Sequence, residues 1–307
     1  VNDTYEELKE KGQIEFITFH PSYCYEDFVE GIRPELTSND TNSDHPNNGK
    51  NGHQQKFELR DGIFKKMCAR ALKAAFDDDY RGKLNSADMD EEYYKKMNKL
   101  EWKSVLNEYK DKLKGTSEEE KKIWANPEIP KFVLTIDEIN RGDISKIFGE
   151  LITLIEEDKR IGAENKLISK LPYSEEEFGV PKNLYILGTM NTADRSLTQI
   201  DIALRRRFAF DEKKPELDQM KKDPNKYNVR IKEGTKDYQL FSDSLVALQN
   251  INIALGDNPD LGRNKKIGHA FLCGVESEKD ITNAWKNKIL PLLEEYFYFD
   301  LTQLEDL

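Results

Sequence analysis

The sequence predicts an α/β fold, a parallel sheet with flanking helices followed by a small all-helical domain, and three observations carry that expectation. Two apolar runs, Phe132-Val133-Leu134-Thr135-Ile136 and Leu184-Tyr185-Ile186-Leu187-Gly188-Thr189-Met190, have the length and near-continuous hydrophobicity of buried parallel strands. Between them Ile144, Ile147, Phe148, Leu151, Ile152 and Ile155 recur at three- and four-residue spacing, which predicts a helix over 143–157 with one face on a sheet. After Pro215 the pattern is helical only, chiefly over 240–255 and 281–297, so the strand–helix alternation stops where a second domain begins.

In chain order, Val1 falls inside a helical pattern, the expectation for a fragment. A strand over 14–19 leads into His20-Pro21 and an aromatic, acidic segment, 23–31. Residues 37–55 are rich in Asn, Asp, Ser and Gly and read as a mobile loop. Asp61-Gly62 opens a helix with Ile63, Met67, Ala71 and Leu72 on one face. The stretch 77–126 is dense in Lys, Glu and Tyr, with a capping-box pattern Ser117-x-x-Glu120. It predicts a solvated helical insertion on the surface, since charge runs are usually solvated faces. Beyond 160 come a turn, a short hairpin strand over 167–171, the strand 184–190, a short helix over 197–204 and a strand over 207–210. The expected domains are a core over 1–214, interrupted by the insertion, and a helical domain over 215–307.

The 307 residues carry 58 acidic and 47 basic side chains, a net charge of −11. Such an acidic chain does not coat nucleic acid by bulk electrostatics. Cys24, Cys68 and Cys273 are far apart and form no CxxC pattern, which fits a reducing, cytoplasmic setting. The four histidines and three cysteines show no metal-ligand spacing. No apolar stretch approaches bilayer length.

Both apolar runs end on polar residues, Asp137-Glu138 and Asn191. In open parallel sheets, such strand ends face the crevice where ligands bind. Hydrolysis of a phosphoanhydride needs metal-neutralised phosphate charge and a water aimed in line. Asp137 suits Mg²⁺ and Glu138 suits polarising the water; the Asn191 amide suits the γ-phosphate and that water. The plainer readings are two acids that follow a core strand and an Asn that caps a turn. Arg205-Arg206-Arg207 fits either a guanidinium finger for phosphoryl oxygens or ion pairing with acids such as Asp201 or Asp194, one arginine serving each role. A Gly-x-x-x-x-Gly-Lys-Ser/Thr phosphate loop is not present in these residues. Gly49-Lys50 and Gly82-Lys83 have Asp44 and Asp77 where the first glycine belongs, and Asn51 and Leu84 follow them.

The segments Phe-Val-Leu-Thr-Ile-Asp-Glu-Ile-Asn-Arg (132–141), Gly-Thr-Met-Asn-Thr-Ala-Asp-Arg-Ser (188–196) and Ala-Leu-Arg-Arg-Arg-Phe (203–208) resemble the McrB family. So do Phe19-His20-Pro21-Ser22-Tyr23-x-Tyr25-Glu26-Asp27-Phe28, Ile267-Gly268-His269-Ala270-Phe271 and Leu292-Leu293-Glu294-Glu295-Tyr296-Phe297, in the family's order. The resemblance implies an AAA+ module of the P-loop type with a helical lid, acting as a GTP- or ATP-hydrolysing motor with Mg²⁺. It implies a homo-oligomeric ring, expected to be hexameric, a McrC-type nuclease partner and DNA as the track. By the same resemblance Asp137 and Glu138 are the Walker B pair, Asn191 the sensor, and Arg205 or Arg206 the trans-acting finger. Asp194 and Lys266 (Lys rather than Arg) join Asp137 on the nucleotide side. The phosphate loop then precedes the first strand, in sequence upstream of Val1. Two other functions stay open: an ATP-dependent remodelling enzyme, and a non-catalytic ring subunit that lends its arginine finger. The insertion is a candidate docking arm.

Overall fold

The computed structural model describes residues 2–34, 57–86, 97, 99–191, 205–258, 261 and 265–298. They fall into two compact units, the first running to Asn191 and taking in 205–209, the second from Phe210 onward.

The first unit is built on a three-stranded parallel sheet. Strands β1 (Ile14–Thr18), β4 (Phe132–Asp137) and β7 (Leu184–Gly188) lie in the order β1-β4-β7. Parallel neighbours cannot be joined by tight turns, so helices and smaller strands fill the connections. Phe132, Leu134 and Ile136 alternate onto one face and are fully buried there. The helix Ile63–Phe76 covers that face and is buried nearly all round, from Phe64 through Met67 and Leu72 to Phe76. Asn183 fixes the seating: its Nδ2 donates to Ala71 O on the helix and to Pro130 O ahead of β4, each at 2.9 Å. On the opposite face, the cross-strand rows Ile14–Val133–Tyr185 and Phe16–Thr135–Leu187 leave Phe16, Tyr185 and Leu187 exposed.

Two antiparallel hairpins flank the sheet. One pairs β2 (Glu30–Pro34) with β3 (Phe57–Asp61); the other pairs β5 (Ser169–Lys170) with β6 (Glu177–Phe178). Glu30 Oε2, Asp61 Oδ1 and Glu176 Oε2 surround Lys65 Nζ at 2.9, 2.8 and 3.0 Å, tying both hairpins to the central helix. The turn of the second hairpin adds the N–H groups of Tyr173 and Ser174, which donate to Glu30 Oε1.

The structure corrects several expectations. The described part of 77–126 is no solvated appendage. Its helix Trp102–Leu113 packs on Ile63–Phe76, and Trp102, Leu106, Tyr109 and Trp124 belong to the same core as the sheet. The Trp102 ring meets Phe178 at a tilt of 53° with centroids 4.7 Å apart, and its indole N–H donates to Glu177 O at 2.7 Å. The charge pattern concealed this because only one side of each helix is apolar. The cap of the helix Ser117–Trp124 is Thr116, whose Oγ1 accepts from Glu119 N–H. Glu120 is instead drawn to Tyr109 OH and Lys166. The helix expected over 143–157 ends at Phe148 and continues as 3₁₀ turns. Gly149 at φ +52° breaks it, with the Tyr25 ring pressed against the side where a Cβ would stand. The segment 207–210 is a turn and coil rather than a strand, and the Arg207 guanidinium lies 2.8 Å from Glu156 Oε1. The loop 37–55 and the helix 197–204 lie outside the described residues, as does Asp194.

The second unit is helical and has its own core, in which Phe241, Leu245, Leu248 and Leu255 of the long helix Lys236–Asp257 meet Met220, Ile267, Leu272, Ile281 and Leu293. The helix expected over 281–297 is Glu278–Ala284 and Leu290–Tyr296 joined by a π turn, Trp285–Ile289. Pro291 supplies the reason: it has no N–H for the ladder and crowds the preceding turn. Among the described residues no helix is long and apolar enough to cross a membrane.

Candidate functional site

The C-terminal end of the sheet gathers the polar residues. The parallel register carries Thr18 beside Asp137 and sets Ile136 opposite Gly188, so Thr189 follows beside Asp137. Thr189 Oγ1 donates to Asp137 Oδ1 and accepts the Glu138 N–H at 3.3 Å. The backbone adds two bonds of 2.9 Å, from Thr189 N–H to Ile136 O and from Ile139 N–H to Thr189 O. β4 therefore leaves the sheet under tight control.

At Glu138 the chain turns sharply, at φ 52° and ψ 44°. The left-handed region is unfavourable for a residue with a Cβ, and this is one of four non-glycine residues that occupy it among the described residues. The turn enters a short 3₁₀ segment, Ile139–Arg141. Glu138 Oε2 is buried without a hydrogen bond, although Arg141 Nε lies 3.2 Å away as an ion-pair partner. The distance is met and the alignment is not, so the contact is electrostatic only.

Asn140 completes the cluster. It is buried, its Nδ2 donates to Asn191 O at 3.4 Å, and its Oδ1 has no hydrogen-bond partner. The structure thus brings Asp137, Glu138 and Asn191 to one end of the sheet. Arg205 and Arg206 are exposed; Arg207 is half-buried and ion-pairs with Glu156 Oε1 at 2.8 Å.

Lys266 belongs to the second unit, where it is exposed. The Asn252 side chain grips the backbone next to it, accepting from Ile267 N–H at 2.6 Å and donating to Ile267 O at 2.9 Å. His269 Nδ1 accepts the Glu216 N–H at 3.0 Å, which holds the Ile-Gly-His segment in place.

Asp137 and Glu138 present hard oxygen donors, and one of these oxygens is a buried atom that lacks a hydrogen bond. That donor set fits Mg²⁺, which binds through one or two carboxylates together with phosphate oxygens and keeps several waters. No group of three or more His, Cys, Asp or Glu able to hold a metal occurs among the described residues, and Mg²⁺ needs no such cage.

Sequence reasoning overlooked Thr189, Asn140 and Arg141. Thr189 was legible as a hydroxyl one register step from Asp137, but only once the two strands are known to be parallel neighbours.

The family follows from two matches. Residues 60–208 match the AAA domain of the dynein-related subfamily, and residues 244–305 match the McrB alpha-helical lid domain. This chain belongs to the McrB family. Its core is the AAA domain and its second unit carries the helical lid. Among relatives, it is 33% identical over 303 residues (95% of this chain, 49% of the relative) to the type IV methyl-directed restriction enzyme EcoKMcrB subunit of Escherichia coli K12. It is 29% identical over 173 residues (53% of this chain, 48% of the relative) to the type II restriction enzyme BsuMI component YdiS of Bacillus subtilis 168. The chain spans about half the length of both relatives.

Proposed function

We propose that this chain is the nucleotide-hydrolysing part of an AAA+ motor subunit in a McrBC-like restriction system, acting in the cytoplasm. The buried Glu138 oxygen beside the stapled Asp137 carries the reading. A carboxylate held in a strained turn and given no hydrogen bond is a group kept for chemistry.

In this reading Asp137 holds Mg²⁺ together with the oxygens of GTP, or of ATP. Bound there, the ion neutralises phosphate charge and orients the terminal phosphoryl group. Glu138 accepts a hydrogen bond from the attacking water and aligns it; Asn191 donates its amide to the γ-phosphate and to the same water. Asp194 and Lys266 join the nucleotide side. Arg205 or Arg206 reaches the γ-phosphate of a neighbouring subunit, as a guanidinium matches phosphoryl oxygens. That division requires a homo-oligomeric ring, hexameric in this proposal. Turnover in the ring drives DNA translocation, and a separate McrC-like nuclease subunit cuts. No Gly-x-x-x-x-Gly-Lys-Ser/Thr pattern occurs in this sequence, and in this proposal the phosphate cradle is assigned to another part of the full-length protein.

The test is turnover of GTP and of ATP by the full-length protein, with and without the nuclease subunit. Glu138→Gln removes the water-aligning charge and is expected to lower kcat by about 10²-fold or more, with nucleotide still bound. A variant that turns over at the wild-type rate would falsify the role of Glu138.

A further inference from the structure

We infer that Thr189 is a positioning residue of this site, one hydroxyl that orients the Asp137 carboxylate and fixes the turn carrying Glu138. The inference rests on the reading of Asp137 and Glu138 given above and adds a residue to it.

Thr189 is exposed and lies one position past the end of β7. Its backbone already secures the strand end through Ile136 O and Ile139 N–H, so strand pairing does not need the hydroxyl. The hydroxyl nonetheless has two partners. It gives its only proton to Asp137 Oδ1, and that fixes where its lone pairs point. One lone pair then takes the Glu138 N–H. A hydroxyl has one donor and two acceptor sites, so a single group can serve both neighbours at once. A methyl group can serve neither.

Two consequences follow for the site. Asp137 loses rotational freedom about its carboxyl while keeping its other oxygen for a ligand. Glu138 enters the left-handed turn with its amide satisfied, which removes one cost of an already strained conformation. Groups that hydrogen-bond a metal-ligating carboxylate typically change metal affinity or activity about 10–100-fold when removed.

The experiment uses the full-length protein. Mn²⁺ is titrated by electron paramagnetic resonance in the presence of a non-hydrolysable GTP analogue, and kcat is measured against Mg²⁺ concentration. Thr189→Val keeps the shape and removes the hydroxyl; it is expected to weaken Mn²⁺ binding and raise the Mg²⁺ requirement about tenfold or more, with thermal unfolding as the control for folding. Thr189→Ser restores the hydroxyl and is expected to recover wild-type Mn²⁺ binding. Wild-type metal affinity in Thr189→Val, or equal impairment in Thr189→Ser, overturns the inference. Asp137→Asn separates it from the underlying reading. Metal binding lost in Asp137→Asn but intact in Thr189→Val sinks the role of Thr189 alone. Metal binding intact in both sinks the assignment of Asp137, and the inference with it.

Discussion

Lys65 Nζ sits 2.9 Å from Glu30 Oε2, and both side chains are shut off from solvent. Asp61 and Glu176 complete a cluster in which one ammonium serves three carboxylates. Removing one partner from a buried ionic group leaves uncompensated charge and typically costs about 3–5 kcal/mol. Lys65→Met is therefore expected to lower stability by that order, read as a drop in the denaturant midpoint. Because the cluster spans two hairpins and the central helix, unfolding should stay cooperative across the first unit.

The same cluster sets a pH dependence. Burial pushes the Glu30 carboxyl up, but Lys65 and the Ser174 N–H more than offset it and hold the group below its ordinary value. Burial pushes Lys65 down, yet its hydrogen bonds to Asp61 and Glu30 leave it above its ordinary value. A carboxyl lowered on folding adds stability above its unfolded value, about 4.3, and loses it as pH falls through the folded value. A lysine raised on folding adds stability below about 10.4 and loses it as pH rises further. The cluster should contribute fully between those limits. Chemical denaturation of wild type and Lys65→Met from neutral pH down to pH 3 should show the gap between them narrowing on the acid side.

Gly162 is held at φ +92°, and a Cβ there would meet the Trp124 ring at 2.5 Å. Trp124 cannot retreat easily, since its Nε1–H is bonded to Tyr109 OH at 2.8 Å and Lys182 Nζ lies 5.1 Å from the ring centroid. Gly162→Ala combines backbone strain with overpacking and is expected to cost about 2 kcal/mol or more. Thermal unfolding of the variant is the check.

Glu138→Gly should separate stability from chemistry. Glycine accepts the left-handed turn without the steric cost that a Cβ carries, about 1 kcal/mol. The Arg141 contact that is lost is partly solvated and worth little. The variant is expected to be about 1 kcal/mol more stable than wild type in urea and inactive in hydrolysis. A destabilised variant would show that the Glu138 side chain is structural.

The three consecutive arginines should divide by role. Arg207, 16% exposed and paired with Glu156, is expected to cost about 2 kcal/mol of stability as Arg207→Ala. Arg206→Ala should leave stability within about 0.5 kcal/mol, while the finger variant, Arg205→Ala or Arg206→Ala, loses about 10³-fold or more in kcat. Mixing that variant with Glu138→Gln should regain turnover, because a ring interface can then combine an intact arginine with an intact glutamate. No recovery on mixing would place the arginine in its own subunit's site.

Much of the sheet was legible because a buried strand is an uninterrupted apolar run, and the expected strand over 132–136 became Phe132–Asp137 with its carboxylate at the tip. The helix Lys236–Asp257 was legible through its 240–255 periodicity. What failed depended on single contacts between distant residues. Nothing in the local pattern says that Tyr25 presses on Gly149, that Arg207 pairs with Glu156, or that Trp102 reaches Phe178. At the site, the strand ends announced Asp137, Glu138 and Asn191. The hydroxyl of Thr189 and the buried amide of Asn140 became visible only when two strands lay side by side.

The open face of the sheet governs how these 307 residues behave in a tube. Phe16 and Leu187, each more than half exposed, and Tyr185 beside them form an apolar strip on strands whose other side is fully packed. Keeping water against such a strip is entropically unfavourable, and another copy offers it the nearest shelter. A preparation of these residues alone should light up a hydrophobic dye while still folded and grow in light scattering as it is concentrated. Phe16→Lys with Leu187→Lys should quieten both signals and leave the circular dichroism unchanged.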